Sequence, residues 1–302
     1  MSENLPTSDR PEIFRDLAEN AFEVVERETG LWEKLYGNTA LRKTVLLVVL
    51  AVLWEVYARW LGKPLLFPTL SDTIAALLAS VRSGVLPAAA EYTIVLLLKG
   101  YVLGLLLAVG LTALANVSRI GADLLETLTS MFHPLPSIAL LPIAFLWFGL
   151  GANGLIFVIV HAVLWSVALN THAGFRAVSP TLRMVGRNYG LSTTGYITRI
   201  LIPGAFPSIL TGLKSGWAFA WRTLIAAELV FGASSGSGGL GWFISERKNQ
   251  LRIPDVFAGL LTVMILGGEA NGSPLGNGNL MTISVLRHLR RSLQTRVSRC
   301  SW

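Results

Sequence analysis

Two charges inside an otherwise apolar run are the first residues from which chemistry would be expected. In the stretch Trp217–Phe231, WAFAWRTLIAAELVF, Arg222 and Glu228 sit among aromatic and aliphatic neighbours. A charge at bilayer depth is costly unless it is paired or faces water, so each needs a partner or a reason. They are six residues apart and do not share a helix face, so each must look to another element. Arg222 offers a fork of donors that suits a small anion. The alternative at both positions is an interhelical ion pair, and the sequence leaves that choice open.

A second constellation lies in the long polar interval Val178–Leu213. Leu182–Tyr189 is long enough for two helical turns, with Arg183 and Arg187 four apart on one face. Leu182, Val185 and Tyr189 fall on another face at helical spacing, which makes the piece amphipathic. Gly190 is placed to take the left-handed conformation that ends a helix, or to admit a close backbone. Nine residues then lead to Ile200, and after one more come Ile202 and Pro203. Pro203 and Pro207 are expected to punctuate the return into apolar sequence. Such a helix between two spans would act as a lever on them. Its plainer reading is a basic loop retained on one side of the membrane by its charge.

The third feature is His133–Gly151, HPLPSIALLPIAFLWFGLG, in which Pro134, Pro136 and Pro142 interrupt an apolar segment. Helices broken at membrane depth survive only where protein or a water-filled cavity satisfies the freed backbone. The whole stretch, with Pro136 and Pro142 foremost, is therefore a candidate to line a pathway, with a simple proline kink as the alternative. His161 and His172 stand in the next apolar segment, where a histidine is usually a packing residue, and neither is assigned a role.

Other chemistries find no support. Gly236–Gly241, GSGGLG, fits a dinucleotide fingerprint, but such a site needs a strand before the glycines and an apolar helix precedes them. There is no phosphate-loop motif and no H-E-x-x-H metal motif, so no cofactor, metal or catalytic residue is expected. Cys300 is the only cysteine, which excludes a disulfide framework. With 52% apolar and 14% charged residues in 302, the composition is that of a membrane protein, since soluble chains carry roughly 25% charged residues. The net charge of +7 then reads as topology, with no nucleic-acid partner implied.

The elements that must position these residues are membrane spans. Five are expected, at Thr44–Leu61, Ile94–Ala115, Leu124–Leu150, Ile156–Ala173 and Ser208–Val230. Gly100, Gly104 and Gly110 give the second a small face for close packing. Glu55 and Arg59 form an interfacial pair in the first, and Thr69 or Ser71 starts a short helix after it. Residues 1–43 form a cytosolic region whose Pro11–Glu28 stretch is an amphipathic helix with an acidic face, suited to packing on protein. Its acidity and lack of an apolar core argue against a signal peptide. Basic residues favour the side holding the long loop, which predicts a cytosolic N-terminus.

The phrases FPTLSDT, PLPSIALLPIAFLWFGLG, WAFAWRTLIAAELVFG and GGLGWFI, with the Gly190-to-Pro203 spacing, resemble permease subunits of bacterial ABC importers of the nitrate, sulfonate and taurine group. The likeness runs from about Trp54 to Leu266. Met184, Val185 and Gly186 stand where that family has Glu-Ala-Ala, and Ile202 replaces a Leu. The resemblance implies an all-α, multispan bundle of the type I importer kind, working as a homodimer in the inner membrane among lipid. It implies two ATP-binding subunits docked on the loop over residues 174–208, at Arg183, Arg187, Tyr189, Gly190, Ile200 and Pro203. It implies a periplasmic substrate-binding protein, and a small anion moved inward by alternating access. ATP hydrolysis would belong to the partner, so the chain itself is not expected to be an enzyme. A channel-like or scaffolding membrane protein working without an ATPase is the alternative.

The last apolar segment, Val256–Gly267, is expected to be an incomplete sixth span. Its 12 residues fall short of the roughly 20 needed to cross. Composition then changes abruptly to GGEANGSPLGNGN and a basic stretch. A shifted reading frame would explain residues 268–302 as an atypical tail; a genuine short re-entrant end is the alternative.

Overall fold

The structure, a computed structural model, describes residues 39–231 and 238–270, except for the side chains of Arg187, Glu269 and Ala270. The chain divides into two units, Met1–Thr44 and Val45–Trp302. Of the first, only residues 39–44 are described, as the opening turns of a helix. The expected amphipathic helix at Pro11–Glu28 and the tail beyond residue 270 lie outside the described residues.

Every regular element among the described residues is helical. In order they are α1 (Thr39–Leu61), α2 (Leu70–Arg82), α3 (Val85–Val117), α4 (Arg119–Phe132), a 3₁₀ turn (Ser137–Leu140) and α5 (Leu141–Phe148). Then follow α6 (Ala152–Ala177), α7 (Pro180–Asn188), the single turn α8 (Thr193–Tyr196), a π turn (Ile197–Leu201), α9 (Ile202–Phe231), α10 (Leu240–Asn249) and α11 (Ile253–Ala270). Four helical stretches are long and apolar enough to cross a membrane, and α4 with the segment Ser137–Phe148 makes a fifth if that bent pair counts as one span.

The bundle is built around α6. Of its best span-length window 61% is buried, against 6% for α1, which puts one helix at the centre and the other at the rim. Small residues let neighbours reach α6 closely, as expected where lipid supplies no hydrophobic drive between helices. A Cβ at Gly100 of α3 would lie 2.7 Å from Ile159 Cβ, and one at Gly104 would lie 2.8 Å from Val163 Cβ. From the other side, a Cβ at Gly212 of α9 would come within 2.8 Å of Asn170 Cβ. Gly110, expected on the same packing face, meets nothing within 4 Å and takes no part. Polar ties support the contacts: Ser166 and Ser215 hydroxyls lie 2.9 Å apart, and Tyr101 Oη donates to the Leu213 carbonyl at 3.0 Å.

At the rim, Trp54 of α1 packs its ring on Phe67 and Phe257 and donates to the Pro68 carbonyl. Glu55 pairs with Arg59 at 2.7 Å and also accepts from the Ser71 backbone and hydroxyl at the start of α2, where a negative group opposes the helix dipole. Thr69 caps α2 through its hydroxyl.

Two expectations about boundaries are corrected. The helical path runs without a break from Thr193 to Phe231, so Pro203 and Pro207 do not punctuate it. Pro203 and Pro207 each lack an N–H for a helical bond, and the path stays continuous with a π turn just before Pro203. The sixth apolar segment is also longer than expected, since α11 runs from Ile253 to Ala270. Its apolar part, Ile253–Gly268, is still shorter than the helices that count as spans.

Candidate functional site

The break between α4 and α5 makes the site. The chain turns by 89° between Arg119–Phe132 and Ser137–Phe148, with Pro134 and Pro136 in the turn. Proline supplies no N–H to continue a helix, so the backbone is released there. Pro136 precedes the 3₁₀ turn with extended dihedrals, φ −60° and ψ 117°. Against this corner lies a cavity of about 340 Å³, lined among others by His133, Pro136, Ser137, His161, Trp165 and Arg222.

Arg222 is the permanent charge in this cavity. It is exposed, its Nε donates to the Ala218 carbonyl at 3.0 Å, and its guanidinium lies 5.2 Å from the Phe219 ring centroid. Among the described residues no carboxylate pairs with it. The wall opposite is polar at its edges. Ser137 Oγ and His161 Nδ1 are 3.0 Å apart, while His161 Nε2 and Trp165 Nε1 have no partner among the described residues. Phe132 stacks on Trp165 at 5.4 Å, and His133 meets Phe219 edge-on at 6.4 Å. One fixed cation and two imidazoles stand at the edge of a cavity whose wall is otherwise largely apolar and aromatic. That arrangement can attract an anion.

Glu228 is elsewhere. Its residue is 1% exposed, and its carboxyl oxygens lie 3.0 Å from Thr93 Oγ1 and 2.9 Å from the Gly241 N–H. Thr93 Oγ1 in turn accepts from the Leu240 N–H at 2.8 Å. Glu228 and Thr93 thus satisfy the free N–H groups at the start of α10, from two other helices. A Cβ on Gly239 would fall 2.1 Å from Glu228 Oε1, so only glycine lets the chain pass so close. Glu228 therefore neither forms an ion pair nor lines the cavity. Pro142, exposed in the first turn of α5, does not line it either. The cavity unites Arg222 with Pro136 and leaves Glu228 and Pro142 apart.

The loop residues form a separate group. Arg183 donates to the carbonyls of Phe175 and Val178, the latter at 3.1 Å, and so satisfies the free C-terminal end of α6. Gly190 has φ +61°, and Leu191 N–H reaches back to the Gly186 carbonyl at 3.3 Å, closing α7. Tyr189 is 80% exposed, and Leu182, Met184 and Val185 are exposed with it, so among the described residues these apolar side chains of α7 are left largely uncovered. Arg187 lies on α7, its side chain outside the described ones. Ile200 packs in a small cluster with Phe175, Val178, Leu201 and Ala205. Pro203 is exposed at the start of α9. Gly186 is buried because a Cβ there would lie 2.8 Å from the Tyr196 ring.

His133 and Ser137 belong to the stretch expected to line a pathway, whereas sequence reasoning gave His161 no role and did not find Thr93 as the partner of Glu228. For Thr93 there was no signal, since it is 135 residues from Glu228.

A helical bundle with a broken span, an arginine at the break without a carboxylate partner among the described residues, and an exposed amphipathic helix fits a membrane permease subunit. Residues 100–268 match the family model described as "Binding-protein-dependent transport system inner membrane component", and the chain belongs to that family. The chain is 29% identical over 228 residues to a taurine transport system permease protein of Escherichia coli, covering 73% of this chain and 81% of that one. It is 28% identical over 242 residues to a nitrate import permease protein of Synechocystis, covering 77% and 86%. An Escherichia coli protein named as an aliphatic sulfonates transport permease is 32% identical over 157 residues, covering 52% and 58%. It is thus an inner-membrane, multi-pass ABC permease with sulfonate, taurine and nitrate transporters among its relatives.

Proposed function

We propose that the chain carries a small anion inward through the cavity at the broken span, with Arg222 as the attracting charge. The observation that carries this is a guanidinium at a largely apolar cavity in the bundle, with no carboxylate paired to it among the described residues. A charge kept there without a carboxylate needs water or a ligand as counterpart. The names of the relatives supply the class of anion: sulfonate, taurine or nitrate.

The loop is the input side of the machine. Two copies of an ATP-binding subunit dock on the exposed apolar face of α7, and hydrolyse ATP on behalf of a homodimer of this chain. Arg183 then transmits movement of α7 to α6, since its two bonds tie the helices end to end. α6 is the central helix and also carries His161 of the cavity, which suits a rocking motion that exposes the site to alternate sides. A periplasmic binding protein delivers substrate from the other face, and the N-terminus lies in the cytosol.

The test is reconstitution with the ATP-binding subunits and binding protein in vesicles. Wild type should take up the anion only with ATP, and Arg222→Ala should lose uptake while remaining inserted and assembled. Uptake without ATP would favour a channel. Unchanged uptake by Arg222→Ala would remove Arg222 from the pathway.

A further inference from the structure

A second cavity, of about 690 Å³, opens at the loop end of α4 and α6. Its polar lining comes from His133, Thr129, Ser130, His172, Glu126 and Arg176. His133 and Pro134 line this cavity and the one at Arg222 alike, so the corner of the broken span is the partition between them.

We propose that this inner cavity is a second anion station, at which a small oxyanion that has left Arg222 is held by Arg176 before release on the loop side. The proposal rests on the reading of Arg222 given above. Two details favour a ligand. Thr129 is 5% exposed and its Oγ1 has no hydrogen-bond partner among the described residues; His172 is half-buried, and its Nδ1 has none either. Buried polar atoms without partners are rare and call for an explanation. Arg176, moreover, is only loosely engaged: Glu126 Oε2 lies 3.5 Å from its Nη1, with both side chains more than two-thirds exposed. That distance is long for a charge-assisted bond. An exposed pair of this kind contributes little stability. Glu126 is then best understood as a stand-in carboxylate that holds Arg176 while the station is empty and competes with the arriving anion. Competition would keep affinity low, which a release site needs.

The two roles of the Glu126–Arg176 pair give opposite signs. If the pair is purely structural, Glu126→Gln and Arg176→Gln remove the same bond and act alike. If Glu126 competes with an anion for Arg176, Glu126→Gln tightens anion binding and Arg176→Gln loosens it. The experiment uses the complex with its ATP-binding subunits in phosphatidylcholine nanodiscs, and measures equilibrium binding of methanesulfonate and of nitrate. Both substitutions are made in an Arg222→Ala background, which silences the outer cavity. About fivefold tighter binding is expected for Glu126→Gln and about fivefold weaker for Arg176→Gln.

Equal changes, or none, in the two variants would overturn the proposal, as would absence of binding of both anions to Glu126→Gln. Repeating the measurement with phosphatidylglycerol separates the sources of an oxyanion. Retained methanesulfonate or nitrate binding supports the station, whereas complete displacement by the lipid assigns the cavity to a headgroup and overturns it. The reading of Arg222 fails separately, if Arg222→Ala alone leaves uptake unchanged.

Discussion

Arg222 and Glu228 stand on one helix, six residues apart, in the same kind of apolar sequence, yet their surroundings could hardly differ more. Arg222 is exposed in a cavity and bonded only to its own helix, over a phenylalanine ring. Glu228 is 1% exposed, with both carboxyl oxygens engaged by Thr93 and the start of α10. The first is a charge with no carboxylate counterpart among the described residues; the second has its oxygens engaged within the bundle. Cost alone does not separate them, because both are expensive at membrane depth. Whether the polar atoms are already satisfied does.

The largest expected effect comes from removing the unsatisfied charge. Arg222→Ala should lower anion uptake tenfold or more, with little change in thermal stability of the purified complex. Arg222→Lys should restore part of the uptake if attraction by a point charge suffices. Uptake unaffected in Ala but lost in Lys would break the comparison outright.

At Glu228 the expectation is reversed: stability falls and the chemistry of transport is spared. Glu228→Leu strands the Thr93 hydroxyl and the Gly241 N–H in the core, a loss of roughly 3 kcal/mol. It should appear as lower yield and an earlier melting transition in detergent. Glu228→Gln keeps an acceptor and should cost about 1 kcal/mol, with uptake per folded molecule near wild type. Normal stability together with lost uptake in Glu228→Gln would move this residue into the pathway.

A smaller effect is expected at Gly190, whose φ of +61° an L-residue adopts with strain of about 1 kcal/mol or more. Nothing lies within 4 Å of a Cβ there, so the substitution acts through the backbone alone. Gly190→Val should leave the spans assembled but disturb the end of α7, so that ATP hydrolysis and uptake no longer keep their ratio. A variant with wild-type ratio would show that this turn takes no part in coupling.

The readable part of this fold was whatever repeats locally. Span-length apolar runs marked α1, α3, α6 and α9, and glycines four apart marked the face of α3 that meets α6. Three prolines located the broken span because proline acts on its own backbone. The destiny of Glu228 was not readable, since Thr93 lies 135 positions away and only packing unites them. Pro203 misled for a related reason: its effect depends on what the neighbouring backbone can absorb, and here a π turn precedes it in a continuous helical path. The helix α11 ran past the glycines expected to end it, which propensity disfavours by only about 1 kcal/mol each.

Arg183 offers the finest test, because it is an arginine of the satisfied kind. Sequence pattern placed it with Arg187 on a docking face, but its guanidinium bonds back to the carbonyls of Phe175 and Val178. Two bonds from one planar fork to two carbonyls at the end of α6 require the geometry of arginine, not its charge alone. Lysine has a single tip and holds one carbonyl at best. Lysine should therefore be the tolerated substitute at Arg222 and the poor one at Arg183. Arg183→Lys is expected to lower stability by about 1 kcal/mol, the worth of one lost bond. It should also weaken the dependence of uptake on ATP hydrolysis by about twofold, since α7 would be less firmly tied to α6. Thermal melting and the ratio of anion transported to ATP hydrolysed measure the two parts. If Arg183→Lys matches wild type in both while Arg222→Lys is dead, the distinction between a satisfied and an unsatisfied charge has been drawn at the wrong residues.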